Sequence, residues 1–300
     1  MHFLIFTCVG GSFIAFGDWG MDTKDFRMSA NRLYEYDPKF TVLLGDNFYD
    51  SGVSSLDDPL WGLFTHIQTT APVFYAVLGN HDYVSPVDVQ SAYSHINPKW
   101  QMPARYFYRM IDLGNGVMLC AIFLDSYFLD KYQINWLRMV LRSPDCQDPN
   151  AYRFVFTHYP IHTVGLFVKD DRVNALRNEV KPLLQEYRVH ALVSGHEHEM
   201  SVFHQNGIQY IISGSFSDKY QQMIVKGQDP HLIFRDVVTP GFVVFDSTNG
   251  GTISYKFIDS YSGSTVYADT IKRDGNWTVT SNSYNHPPIH VLVCLLVCLL

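Results

Sequence analysis

Two histidines separated by one residue close the stretch ALVSGHEHEM, residues 191 to 200. At i and i+2 on an extended chain, the imidazoles of His196 and His198 share a face. A metal is one reason to arrange them so, and a solvated turn is the other. Four further segments repeat the theme. FIAFGD ends on Asp18, TVLLGD on Asp46, FYAVLGN on Asn80 and FVFTH on His158. In each, an apolar run delivers a metal-capable side chain just past its end, and four of the five have Gly immediately before it. One such Gly-Asp pair is ordinary turn chemistry, but five agreeing ends are not.

Ligand counting sharpens the reading. With Tyr49 and His198 the set holds seven donors: Asp18, Asp46, Tyr49, Asn80, His158, His196 and His198. A single tetrahedral or octahedral ion cannot use seven protein ligands and stay open for catalysis. Two ions can, if one carboxylate bridges them at the roughly 3.5–4 Å separation of two-metal sites. His196 and His198 then serve different ions.

The elements that must position these donors alternate. SFIAFG, FTVLLG, VFYAVLG, RYFYRMI, VMLCAIFLD, YRFVFTH and VHALVSG read as strands. Helices are expected over residues 24–36, over LDDPLWGLFTHI, over SPVDVQSAYSHI with Ser85 as N-cap and Pro86 at the first position, over KYQINWLRMVL and over residues 172–187. From Ile208 onward the pattern is mostly β: IQYIISG, GFVVFD, TISYKFID and STVYADTI. This is an α/β chain with a β-rich closing layer, and ligand sites in α/β sheets form at the carboxyl ends of strands.

Composition is that of a globular chain, 47% apolar and 17% charged over 300 residues. A formal charge of -7 and the lack of a Lys/Arg cluster argue against a nucleic-acid partner. Residues 1–12 resemble a short signal peptide without a basic start, or else form an extra strand. Residues 13–275 are read as a single domain. Residues 276–300 form a tail whose last twelve residues, from Ile289, are apolar except for His290. That run is too short for a membrane-spanning helix, which needs about 20 residues. It suits the end of a GPI signal and membrane attachment through the tail. The sequon at Asn276 fits a glycoprotein on the secretory route: secreted, lysosomal or vesicular, or at the cell surface. Five cysteines (Cys8, Cys120, Cys146, Cys294 and Cys298) do not form a disulfide framework.

The motifs GDWG (17–20), GDNFY (45–49), GNHD (79–82), THYP (157–160) and GHEH (195–198) together resemble the metallophosphoesterase superfamily. Asp18-Trp19-Gly20, in place of Asp-x-His, and Tyr49 three residues after Asp46 make the chain more narrowly similar to small, tartrate-resistant purple acid phosphatases. The resemblance spans about residues 13 to 260 and implies a four-layer α/β/β/α sandwich with mixed sheets. It implies that Asp18, Tyr49 and His198 hold Fe(III), that Asp46 bridges, and that Asn80, His158 and His196 hold a divalent Fe, Zn or Mn ion. A hard phenolate suits a ferric ion, and neutral amide and imidazole donors suit a divalent one. Three anionic ligands and one hydroxide against five metal charges leave a net positive site, which attracts a phosphate ester despite the acidic chain.

The expected activity is acid phosphatase: hydrolysis of phosphomonoesters, small or on phosphoproteins, by metal-bound hydroxide without a phosphoenzyme. His81 is expected to protonate the leaving group, with Asp82 holding its ring. His162 either lines the pocket or sits in a solvated loop. Phosphodiester or phosphoprotein hydrolysis on the same site, a catalytically silent surface protein, and radical redox chemistry are the alternatives. Two departures from the family stand out. Phe167 occupies the position, nine residues after His158, where the animal enzymes usually carry a second histidine. Residues 172–187 lack the cysteine that would pair with the loop near Cys146, so that bridge is absent.

Overall fold

The computed structural model describes residues 11–219, 226–248 and 250–273. Residues 1–10 of the signal-like start, the sequon, the apolar tail and Cys8, Cys294 and Cys298 lie outside the described residues, whereas Ser12 opens the first strand.

Fourteen strands are present among the described residues: β1 (Ser12–Phe16), β2 (Phe40–Leu43), β3 (Phe74–Ala76), β4 (Trp100–Gln101), β5 (Phe107–Asp112), β6 (Met118–Phe123), β7 (Ala151–Phe156), β8 (Ala191–Ser194), β9 (Met200–Gln205), β10 (Ile208–Ser213), β11 (Leu232–Asp236), β12 (Gly241–Ser247), β13 (Ile253–Asp259) and β14 (Thr265–Ile271). They form two sheets, in the orders β14-β13-β12-β1-β2-β3-β4 and β11-β9-β10-β8-β7-β6-β5. In the first sheet β14, β13, β12 and β1 pair antiparallel and β1 to β4 pair parallel; in the second, β10, β8, β7 and β6 pair parallel between antiparallel edges, so both are mixed.

The sheets pack face to face through aromatic side chains. Phe13 stacks on Phe40 and Phe245 within its own sheet, at 4.8 and 4.5 Å, and meets Phe154 and Phe156 of the other sheet edge-on at 6.1 and 6.3 Å. Such rings bury large apolar areas and add a directional term. Truncating Phe13 to Ala should cost about 3–5 kcal/mol, because a cavity there cannot collapse between two sheets. Urea denaturation checks this, and a loss below about 1 kcal/mol would contradict the packing described.

Helices complete the layers. α1 (Lys24–Leu33) and α2 (Trp61–Ile67) cover the first sheet, burying Phe26, Leu33 and Phe64. α3 (Asp88–Tyr93), α4 (Lys131–Arg142), α5 (Pro144–Gln147), α6 (Asp171–Ala175) and α7 (Lys181–Glu186) follow, and α4, α6 and α7 cover the second sheet with Leu137, Leu141, Val173 and Leu184. The result is the expected four-layer α/β/β/α sandwich. Among the described residues no helix is long and apolar enough to cross a membrane.

Three expectations needed correction. The helix expected over residues 172–187 is broken, with a π-helical turn at Leu176–Val180 between α6 and α7. Pro182 lacks the N–H for a regular ladder and crowds the carbonyl four residues back, and the wider turn relieves both problems. The helix expected from Pro86 begins at Asp88, because the bonds after Pro86 run from i to i+3 (Val89 to Pro86, Gln90 to Val87). Cys120 and Cys146 form a disulfide with Cα atoms 5.3 Å apart, which ties α5 to β6. The cysteines are 26 residues apart and the partner is on a strand, not on the helix after THYP.

Candidate metal centre

The parallel strands β1, β2, β3, β7 and β8 carry Asp18, Asp46, Asn80, His158 and His196 just past their carboxyl ends. The sheets are joined there. The Gly17 N–H donates to the Ser213 carbonyl at 2.8 Å, and the Ser213 hydroxyl donates to the Ala15 carbonyl at 3.1 Å. Asp18, Asp46 and His196 all lie in the left-handed region, with φ of 56°, 49° and 68°. Non-Gly residues avoid that region, and such strain gathers at functional sites. Space is equally tight: a Cβ on Gly79 would sit 2.1 Å from Asp46 Oδ1. The small residue before each donor lets the loops close on one another.

Around Asp46 the donors converge. Its Oδ1 accepts from the His81 backbone N–H at 2.9 Å and lies 3.5 Å from His158 Nε2. Its Oδ2 accepts from the Tyr49 hydroxyl at 2.9 Å. The same hydroxyl lies 3.2 Å from Asp18 Oδ1 and 3.2 Å from His198 Nε2. On the other side, His158 Nε2 lies 3.1 Å from Asn80 Oδ1 and 3.2 Å from His196 Nδ1. All seven candidates are thus linked by contacts, with Tyr49, Asp18 and His198 on one flank of Asp46 and Asn80, His158 and His196 on the other. The side-chain donors of Asp18, Asp46 and His158 lie within 4.8 Å of one another and are all buried.

The residues fit a metal pair. His158 Nδ1–H donates to the Leu44 carbonyl at 2.8 Å, which fixes the tautomer and turns the Nε2 lone pair inward. His198 repeats the device with Asp218 at 3.3 Å. His196 Nε2 is buried without a hydrogen-bond partner. That nitrogen lies across the ring from Nδ1, which is the atom His196 turns toward His158 and offers to a cation. With no cation, these groups can only balance one another. Burial opposes charge at both partners. Even so, the Asp46 carboxylate lifts His158 to about 9, and bonds to Asp18 and Asp218 lift His198 to about 10. Burial would also raise the Asp46 carboxyl, but the His158 charge overrides it and holds Asp46 below the usual carboxylate range. Cation uptake must therefore release protons.

His81 stands at the mouth, one-third exposed, with Nε2 4.0 Å from Asp46 Oδ2 and its ring 4.3 Å from Tyr49. Its ring is not held by Asp82, as expected, but by the Asp50 carbonyl, which accepts from Nδ1–H at 2.7 Å. Asp82 points into the core and accepts from the Gly79 and Asn47 backbone N–H groups and from Gln90. Burial and the Asp46 charge push its carboxyl up to about 7. It braces the loop from below.

His162 is not brought to the centre. Its Nδ1–H donates to Asp229 at 2.6 Å and its ring packs on Phe203 and Tyr210. Replacing it with Gln should leave turnover within about threefold while lowering stability, since a buried bonded group is lost. A collapse of kcat in a folded His162→Gln protein would contradict its placement outside the site.

Several contributors were missed from sequence. Glu197 accepts from Thr163 Oγ1 at 2.6 Å and from the Leu166 and Phe167 N–H groups, pinning the loop that sets Phe167 4.2 Å from the His196 ring. Tyr159 packs on the same imidazole at 4.1 Å. A glutamate lodged between two candidate ligands was the available signal.

This architecture and site define a metallophosphoesterase, and the chain belongs to the calcineurin-like phosphoesterase family, whose model matches residues 1–200. It is similar to tartrate-resistant acid phosphatase type 5 of Homo sapiens, 25% identical over 68% of this chain and 72% of that one. It is also similar to purple acid phosphatase 7 of Arabidopsis thaliana, 27% identical over 70% and 71%. Among solved structures it resembles GAP50, titled the anchor in the inner membrane complex of Plasmodium, with a TM-score of 0.75 and 24% identity over 88% and 89%. Phosphoester hydrolysis is the chemistry this family membership supports.

Proposed function

We propose that the protein is an acid phosphatase acting on phosphomonoesters, either small esters or phosphoproteins, through an Fe(III)–M(II) pair. The observation that carries this reading is the convergence of a phenol, two carboxylates, an amide and three imidazoles on one buried point, with Asp46 between the two flanks. Asp18, Tyr49 and His198 would hold the ferric ion, Asn80, His158 and His196 the divalent one, and Asp46 both. When bound, the pair supplies a nucleophile that persists into acid and a Lewis acid for the phosphoryl oxygens.

The chain's own residues do the rest. His81 Nε2 faces the opening, where it can donate a proton to the departing oxygen. The Asp50 carbonyl keeps its ring turned that way. Tyr159 and Phe167 wall the His196 side and keep water from that imidazole. The Cys120–Cys146 bridge and the apolar tail support a place on the secretory route or at a membrane.

The test is turnover of p-nitrophenyl phosphate against bis(p-nitrophenyl) phosphate at pH 5 by metal-loaded protein. A monoester preference of at least tenfold in kcat/KM is expected. The reverse preference would assign a phosphodiesterase. No turnover of either would assign a silent binding protein, the reading that the description of GAP50 as an anchor favours.

Phe167 offers a second check. Phenylalanine puts no titratable group beside the His196 ring. Phe167→His should add an ionisation near the ordinary histidine value of about 6.5 and raise turnover of alkyl phosphates by up to about tenfold. An unchanged pH–kcat profile would contradict a place for residue 167 at the reacting end of the site.

A further inference from the structure

The opposite end of the second sheet carries a cavity unrelated to the metal centre. Arg153 on β7 marks it, five residues before His158, and five residues of extended chain span about 17 Å at ~3.3 Å each. The cavity has a volume of about 690 Å³. Arg153, Arg188, Arg273 and His190 line it, and among the described residues Glu186 is the one carboxylate in its walls. On a chain of net charge -7, three guanidiniums against one carboxylate are a pronounced local reversal.

These arginines are not neutralised by the protein. Among the described residues none of the three forms an ion pair. Arg153 and Arg273 are nevertheless fixed in place, while Arg188 is exposed at the rim. Arg153 Nε donates to the Arg188 carbonyl at 3.1 Å, and Nη1 donates to the Cys146 carbonyl at 2.9 Å. Cys146 is itself tethered to β6 by its disulfide. Arg273 Nη1 donates to Asn150 at 3.1 Å and the guanidinium lies 5.7 Å over the Tyr152 ring. His190 accepts from the Arg153 backbone N–H at 3.0 Å. A guanidinium has five N–H donors, and these bonds use two from Arg153 and one from Arg273. Burial and the neighbouring Arg188 both disfavour the charged form of Arg153. The site therefore combines like charge, spare donors and rigid walls, which an anion would satisfy.

We propose that this cavity binds a compound carrying two or more phosphate groups, held by bidentate contacts from Arg153, Arg188 and Arg273. Planar guanidiniums match phosphate oxygens in pairs. The volume falls in the range of small-ligand sites. The ligand could be a free polyphosphorylated molecule or the head group of a phosphoinositide lipid. Arg273 is the last described residue before the segment that ends in the apolar run 289–300, so a lipid head group here would sit beside the start of that tail.

Two arms test the proposal on the metal-loaded full chain. The first is calorimetric titration with inositol hexakissulfate, whose sulfate esters mimic phosphates and resist a phosphatase. The second is co-sedimentation with phosphatidylcholine vesicles, with and without 5% phosphatidylinositol 4,5-bisphosphate. One site per chain is expected, with affinity at least tenfold weaker in the Arg188→Gln/Arg273→Gln protein and p-nitrophenyl phosphate turnover unchanged. Gln185→Glu removes no cation and adds an opposing charge, and should weaken binding similarly. A response to the soluble probe alone assigns a free anion, and a response to the lipid assigns a head group. No binding in either arm, or binding that ignores these substitutions, overturns the proposal. Because turnover is followed separately, failure here leaves the phosphatase reading standing.

Discussion

Replacing Asp46 with Asn should lower kcat/KM by at least about 10³-fold, roughly 4 kcal/mol of transition-state stabilisation. Its two carboxylate oxygens reach side chains on both flanks of the site. Oδ1 meets His81 and His158, and Oδ2 meets Tyr49. The amide is almost the same size as the carboxylate, so the tight fit against Gly79 is kept and the fold should survive. What disappears is the bridging charge. Two cations would then face each other without it, and bound metal should fall along with turnover. Turnover and metal content measured on the same folded protein separate this from misfolding. Wild-type activity in Asp46→Asn would remove the metal centre from the account.

His81→Gln should cut kcat by about 10²–10⁴-fold while leaving metal content unchanged. His81 touches the donor set only from outside: its Nε2 is 4.0 Å from Asp46, and its Nδ1 is spent on Asp50. The loss should depend on the leaving group. An alkoxide needs the proton, whereas p-nitrophenolate leaves nearly as well without it. Alkyl phosphates should therefore lose far more rate than p-nitrophenyl phosphate. Equal losses on both would make His81 a positioning residue and not the acid.

Five of the seven candidate ligands, Asp18, Asp46, Asn80, His158 and His196, were legible because each follows an apolar run, where strand and turn chemistry together fix the position of one side chain; Tyr49 and His198 stood out only by their spacing from Asp46 and His196. Asp18 and His196 are 178 residues apart, yet the His196 N–H donates to Asp18 Oδ2 at 2.8 Å. That contact follows from the sandwich, which brings the strand ends of both sheets to one edge. What was illegible depends on side-chain direction within loops. Asp82 follows His81 directly, but the 3₁₀ turn at Asp82–Val84 sends its carboxylate into the core. His162 lies four residues from His158, but its loop carries it under β9 and β10 to Asp229. β9 was illegible because Ser201, His204 and Gln205 interrupt its apolar run directly after the paired histidines. The Cys120–Cys146 pair was illegible because it depends on α5 folding back beside β6, a tertiary contact that the cysteine spacing alone does not fix.

The most direct test of the central claim is a count of metal ions per purified chain by inductively coupled plasma mass spectrometry. The account predicts two ions per chain, at least one of them iron. One ion or none per folded chain would contradict a paired centre built on Asp46.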